Sequence, residues 1–144
     1  MSTALSCAFD RPLRRAVAAL WAAGSAICAV TAVVALVRIG GPPALALALP
    51  AVGLCALAAG TSRGARWALA VSFVLLGLQL VGAAGSAWEL GHVQADDKSD
   101  WLRALGVDPT LGVALDLAYS TVASAVFAWA AVRLLTRGRQ PRSG

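Results

Sequence analysis

Asp116 is the single carboxylate that lies well inside a long apolar segment of this chain. A charged side chain near the centre of a membrane costs about 2.5–3.5 kcal/mol, and such residues usually face the interior of a helix bundle. An acid in that setting can bind a proton or a cation, or it can hydrogen-bond to a neighbouring helix. Asp116 is therefore the residue whose type and position most directly suggest chemistry.

Other polar side chains are expected at a depth similar to that of Asp116. Tyr119 follows three residues later, on the same face of a helix. Gln79 and Thr31 belong to two other apolar segments, and a rise of 1.5 Å per residue places both in the same half of the membrane as Asp116. We predict that Thr31, Gln79, Asp116 and Tyr119 form one intramembrane polar cluster.

Three interpretations of this cluster remain open. A hydrogen bond between Gln79 and Asp116 could simply hold two helices in register, since such bonds average about 0.6 kcal/mol in membranes. The cluster could instead form a transport or binding site. In the third interpretation, Asp116 meets a partner protein.

A second set of chemically capable residues lies after the third apolar segment. Glu89, His92 and Asp96 would share a face if that helix continued, and carboxylate–imidazole sets bind metals such as zinc or manganese. One histidine among loop acids falls short of the four well-spaced ligands of a closed zinc site. We therefore expect a solvated acidic loop there, without a metal or other cofactor.

The sequence offers no catalytic set. Cys7, Cys28 and Cys55 form no CxxC pair, so they predict neither a disulfide framework nor a zinc site. No nucleophile–base pair or metal-ligand set stands out among the other residues. We therefore predict that the protein is not an enzyme.

Four long apolar segments must position these side chains. The chain is 59% hydrophobic and only 13% charged, whereas soluble domains carry about 25% charged residues. Helices are expected because lipid leaves the backbone groups of an isolated strand without partners. The prediction is one all-α integral membrane domain over residues 1–144, a four-helix transmembrane bundle with spans at about 16–37, 43–59, 67–88 and 109–135.

The connections between the spans also carry signals. A Gly-Gly-Pro-Pro turn after the first span predicts a tight hairpin, and Pro50 would free the carbonyl of Ala46 inside the second span. The outer loop, residues 89–108, predicts a short helix that Ser99 or Asp100 caps and Gly106 ends. Asp108 and the proline after it predict the N-terminus of the last span.

The basic residues predict an orientation. Nine of them are expected on one side of the membrane and three on the other. Because Lys and Arg are retained in cytoplasmic loops, both termini should be cytoplasmic and the acidic loop should lie outside. The nine are Arg11, Arg14, Arg15, Arg63, Arg66, Arg133, Arg137, Arg139 and Arg142, and the three are Arg38, Lys98 and Arg103.

These patterns predict a small multi-pass protein of a bacterial cell inner membrane. The leading hypothesis is a non-enzymatic accessory subunit, because small-residue helix faces favour close packing against another membrane protein. The alternative is a homo-oligomeric transporter of a small solute or ion that uses Asp116 as a proton or cation site. The expected partners are the lipid bilayer and another membrane protein or a second copy. Nucleic acid is not expected, because the positive charges flank apolar segments.

Overall fold

The computed structural model describes residues 9–90 and 97–138, and every regular element in these ranges is a helix. Four of the five helices are long and apolar enough to cross a membrane, which confirms the predicted all-α chain with four such segments. The helices are α1 (Arg11–Arg38), α2 (Gly41–Ser62), α3 (Arg66–Leu90), α4 (Asp97–Ala104) and α5 (Pro109–Gly138). Several extend past the predicted spans, and α1 and α3 do so in part through arginines, which are good helix formers.

The helix ends show which capping signals were informative. Asp108 Oδ1 accepts a hydrogen bond from the Leu111 backbone N–H at 3.0 Å, which confirms the predicted start of α5. Gly106, at φ +74°, follows the end of α4 as predicted. The prediction that Ser99 or Asp100 caps α4 is wrong, because α4 already begins at Asp97. Asp100 instead pairs with Arg103 across one turn of this helix, at 2.8 Å.

The four long helices pack mainly as two pairs, α1 with α2 and α3 with α5. Only Ile39 and Gly40 join the first pair. Gly40 has φ +121°, a conformation that favours glycine, so the predicted tight hairpin is confirmed. The members of the second pair are adjacent in space but separated in sequence by α4.

The segment after α4 also connects the two pairs. Leu105 is 3% exposed and packs against Ala35 and Ala44 of the first pair. Leu102 approaches Gly112 at the start of α5. Leu105 is buried against protein because the small alanines of α1 and α2 leave room for it.

The bundle has two ends. The arginine-rich end holds the start of α1, the turn between α2 and α3, and the end of α5; the α4 end holds α4 and the opposite ends of the long helices. The main core lies in the half toward the arginine-rich end. Its buried members are Phe9, Leu13, Val17, Leu20, Trp21, Leu57, Ala68, Leu69, Leu76, Ala123 and Ala130.

Candidate functional site

A chain of three buried polar side chains joins α1, α2 and α3 in the half toward the arginine-rich end. Trp21 Nε1 donates to Ser72 Oγ at 2.9 Å, and Ser72 Oγ shares a hydrogen bond with Thr61 Oγ1 at 3.0 Å. All three side chains are almost fully buried. Sequence reasoning missed this chain, although Trp21 lies well inside its span and a buried indole N–H usually has a partner.

Two further contacts close the same half of the bundle. Arg133 Nη1 lies 3.0 Å from Asp10 Oδ2, joining the end of α5 to the start of α1. Gly60 of α2 lies so close to α3 that a Cβ added to it would be 2.7 Å from the Ala68 Cβ. The two helix pairs are therefore in direct contact throughout this half.

Tyr119 lies at the edge of this closely packed half, on the side of the α4 end. Its hydroxyl donates to the Leu20 backbone carbonyl at 3.1 Å, crossing from α5 to α1. A Cβ added to Gly24 would lie 2.6 Å from the Tyr119 Oη, so Gly24 makes room for the phenol. Tyr119 thus takes part in the contact between the pairs rather than in a separate polar cluster.

Between Tyr119 and the α4 end, the helix faces that are buried in the other half of the bundle are exposed. Asp116 shares a face of α5 with Ala123 and Ala130, seven and fourteen residues later. Both alanines are 0% exposed, whereas Asp116 is exposed. On α2, Gly53 is exposed while Leu57, one turn later on the same face, is buried.

From these exposed positions we infer an opening between the two helix pairs, which we call the cleft. It extends from the contact of Tyr119 with Gly24 to the cluster of Leu105 with Ala35. Gly24 and Ala35 are eleven residues apart on α1, which is about 16 Å at 1.5 Å per residue. Half-buried Thr31 of α1 and Gln79 of α3 lie at this level of the bundle, on the core-facing sides of their helices. The cleft is therefore flanked by polar groups from three helices.

The four residues of the predicted cluster were expected to lie in contact with one another, but the hydrogen bonds of Gln79 and Asp116 go to other residues. Asp116 Oδ2 accepts from Ser86 Oγ at 2.8 Å. Gln79 Oε1 accepts from Ser120 Oγ at 3.1 Å. Both bonds join α3 to α5, so Gln79 and Asp116 are brought to the same helix pair, each with its own serine.

Thr31 is bonded within its own helix. Its hydroxyl donates to the Ile27 carbonyl at 2.8 Å, a common local alternative for threonine in helices. Because Tyr119 bonds to Leu20, each of the four predicted residues has a hydrogen-bond partner outside the set. Asp116, Gln79 and Thr31 therefore place a carboxylate, an amide and a hydroxyl at the level of the cleft. These groups can accept hydrogen bonds or bind a cation.

The second predicted set lies mostly outside the described residues. Glu89 is the second-last residue of α3 and is half-buried. His92 and Asp96 fall in the segment that the structure does not describe, so the solvated acidic loop stays a prediction. Within residues 9–90 and 97–138, no group of three or more His, Cys, Asp or Glu side chains could hold a metal ion. Cys28 and Cys55 are free thiols, half-buried and exposed respectively.

The comparisons with known proteins assign no function to the cleft. No family model matches this chain, and neither a curated protein nor a solved structure shows significant similarity to it.

Proposed function

We propose that this chain is a multi-pass protein of a bacterial cell inner membrane, with both termini in the cytoplasm. The four helices of spanning length and composition support the membrane setting. The orientation is supported by the basic residues, of which nine of twelve belong to the arginine-rich end or to the termini that extend from it, because positive loops are retained in the cytoplasm.

Within that setting, the protein acts as a non-enzymatic accessory subunit whose cleft binds one transmembrane helix of a larger membrane protein. The observation that carries this proposal is the position of Asp116, on the core-facing side of α5 yet exposed. A carboxylate exposed to lipid is costly. A partner helix packed over this face would shield Asp116, with its hydrogen bond from Ser86, from lipid, and an arginine or a lysine on that helix would match its charge.

The wall of the cleft formed by α2 suits a helical occupant. Ala46, Pro50 and Gly53 follow one face of α2 at spacings of three and four residues, and all three are exposed. A Cβ added to Gly53 would meet nothing within 4 Å. Small residues of this kind let two membrane helices approach closely, so the shape and the charge of the cleft favour the same type of partner.

A photo-crosslinking amino acid in place of Gly53 tests this proposal in native membranes. The matched control replaces Val52, which is 69% exposed on the neighbouring face of the same helix at the same depth. We expect one larger membrane protein, in a fixed ratio, to crosslink from position 53 and not from position 52. Asp116→Ala should lower that product by about tenfold or more, since a helix–helix contact with a buried charge loses its partner group.

Two results would contradict the accessory role. Equal crosslinking from positions 52 and 53 would show that the cleft is not the contact. A product that is unchanged in Asp116→Ala would show that the carboxylate does not hold the partner.

One observation favours the alternative, a homo-oligomeric small-solute or ion transporter. The contact of Tyr119 with Gly24 closes the cleft toward the arginine-rich end, and the cluster of Leu105 with Ala35 bounds it toward the α4 end. The cleft therefore lies between the two ends of the bundle, and transporters place their substrate and ion sites near the bilayer midplane. Crosslinks from position 53 to a second copy would support this role. In proteoliposomes of the purified chain, a pH-dependent flux that Asp116→Asn abolishes would then establish it.

A further inference from the structure

A second feature lies at the arginine-rich end, remote from the cleft. A cavity of about 240 Å³ is lined by Arg11, Arg14, Arg15 and Ser62. It opens between the first turns of α1 and the end of α2. Three of its four lining residues are arginines, so its surface is strongly positive.

The local charge is not balanced by acidic side chains. The three arginines lie in the first two turns of α1, where the helix dipole is also positive. Asp10, the nearest acid in sequence, accepts from the Leu13 N–H and pairs with Arg133. Among the described residues, no carboxylate forms an ion pair with any of the three arginines. An anion in the cavity would relieve their mutual repulsion.

Arg14 is a half-buried part of the wall of this cavity. Its Nε atom is buried and has no hydrogen-bond partner in the described structure, and a buried donor without an acceptor is costly. Its guanidinium group packs against Gly64 of the turn between α2 and α3, where an added Cβ would collide with it. Gly64 also has φ +75°, a conformation that favours glycine, so the turn holds Arg14 in place.

We propose that this cavity binds a phosphate group. Arginine presents a planar fork of N–H donors that matches phosphate oxygens, and clusters of basic residues recognise this group. The phosphate can come from the headgroup of an anionic lipid or from a soluble phosphate compound. This inference is independent of the cleft, because it concerns other residues at the opposite end of the bundle.

The test is the binding of defined ligands to the full-length protein, purified in a neutral detergent and measured by native mass spectrometry. Three probes are compared: phosphatidylglycerol, phosphatidylcholine and inorganic phosphate. We expect phosphatidylglycerol or inorganic phosphate to bind saturably, and phosphatidylcholine to bind at least about tenfold more weakly because it carries no net charge. Saturation by phosphatidylglycerol alone identifies the lipid as the source, and competition by inorganic phosphate identifies a soluble one.

Matched double variants separate a site from general surface charge. Arg11→Gln with Arg15→Gln removes two exposed lining residues, whereas Arg63→Gln with Arg66→Gln removes two exposed arginines of the same end that do not line the cavity. The first pair should weaken binding about tenfold or more, and the second less than about twofold. Equal losses in the two double variants, or equal binding of phosphatidylcholine, would overturn the proposal.

Arg14→Lys adds a test of geometry, because lysine keeps the charge but lacks the fork. In the folded variant, binding should weaken about fivefold or more. Wild-type affinity in that variant would overturn the assignment of Arg14 to the phosphate. If the variant does not fold, the two double variants decide the proposal by themselves.

Discussion

Leu57 and Pro50 lie seven residues apart on one face of α2, yet Leu57 is buried among three helices and Pro50 is exposed. The same change occurs on α5 between Ala123 and Asp116. The two halves of the bundle therefore use continuous helix faces in different ways, since one half is packed against protein and the other borders the cleft. A continuous apolar face shows only that a helix is surrounded by apolar material, which can be protein or lipid.

Side-chain size explains most of this difference. In the packed half, Gly60 and Ala68 let α2 and α3 approach closely, and the large Trp21 fills the space between the pairs. At the α4 end, Leu105 bridges the two pairs, and between that bridge and Tyr119 both Gly53 and Asp116 are exposed.

The largest effect is expected for Trp21→Ala. Removing this buried side chain leaves a cavity and deprives Ser72 of its donor, so the free energy of unfolding should fall by about 3–5 kcal/mol. Unfolding of the purified protein in bicelles by increasing sodium dodecyl sulfate provides the measurement. Trp67→Ala is the control, because Trp67 is 57% exposed at the same end, and equal losses in the two variants would show that the half around Trp21 is not tightly packed.

Gly60→Ala and Gly53→Ala compare the two halves on one helix. The new methyl group at position 60 would lie 2.7 Å from the Ala68 Cβ, whereas position 53 has open space around it. We expect Gly60→Ala to cost about 1–3 kcal/mol through overpacking. Gly53→Ala should be neutral or stabilise by up to about 1 kcal/mol through helix propensity. Similar unfolding curves for the two variants would contradict the existence of the cleft.

Serine-to-alanine variants compare the polar contacts of the halves. Ser72 takes part in two buried hydrogen bonds, with Trp21 and Thr61, while Ser86 bonds to the exposed Asp116. With an average of about 0.6 kcal/mol per hydrogen bond between membrane helices, Ser72→Ala should cost about 1.2 kcal/mol and Ser86→Ala about half of that. The same unfolding titration measures both, and a larger loss for Ser86→Ala would reverse the comparison.

The smallest effect on stability is expected for Asp116→Asn. The amide oxygen can still accept from Ser86, so the free energy of unfolding should change by less than about 0.6 kcal/mol. The photo-crosslinked product from position 53 should nevertheless fall, because the negative charge that faces the cleft is gone. A large loss of stability together with unchanged crosslinking would make Asp116 a structural residue.

Much of the fold was predictable because long apolar segments have few structural solutions. The four helices, the hairpin at Gly40 and the cap at Asp108 all followed from local signals in the sequence. The start of α4 was predicted wrongly, since Ser99 and Asp100 are good caps but lie inside a helix that begins at Asp97. A capping residue marks a helix start only when the residues before it are not already helical.

The hydrogen-bond partners of the predicted residues could not be predicted from the sequence. Depth along each span placed Gln79 and Asp116 near each other, and both belong to the α3–α5 contact. Sequence could not show that Ser120 and Ser86 would bond to them, because pairing depends on how two helices rotate about their axes. Thr31 was included on depth alone, and its bond to Ile27 shows that a threonine can satisfy its hydroxyl within its own helix.

The pairing of α3 with α5 has a consequence for how the protein is made. The α1–α2 hairpin is complete once Ser62 has been synthesised, whereas α3 can form its main helix contact only after α5 has been synthesised. About 30 residues separate Leu90 from Ser120, which at 5–20 residues per second is a delay of about 2–6 s. In the proposed membrane setting, Gln79 and Ser86 would enter the bilayer before the side chains that hydrogen-bond to them leave the ribosome. The insertion machinery would then have to shelter α3 until α5 has been synthesised.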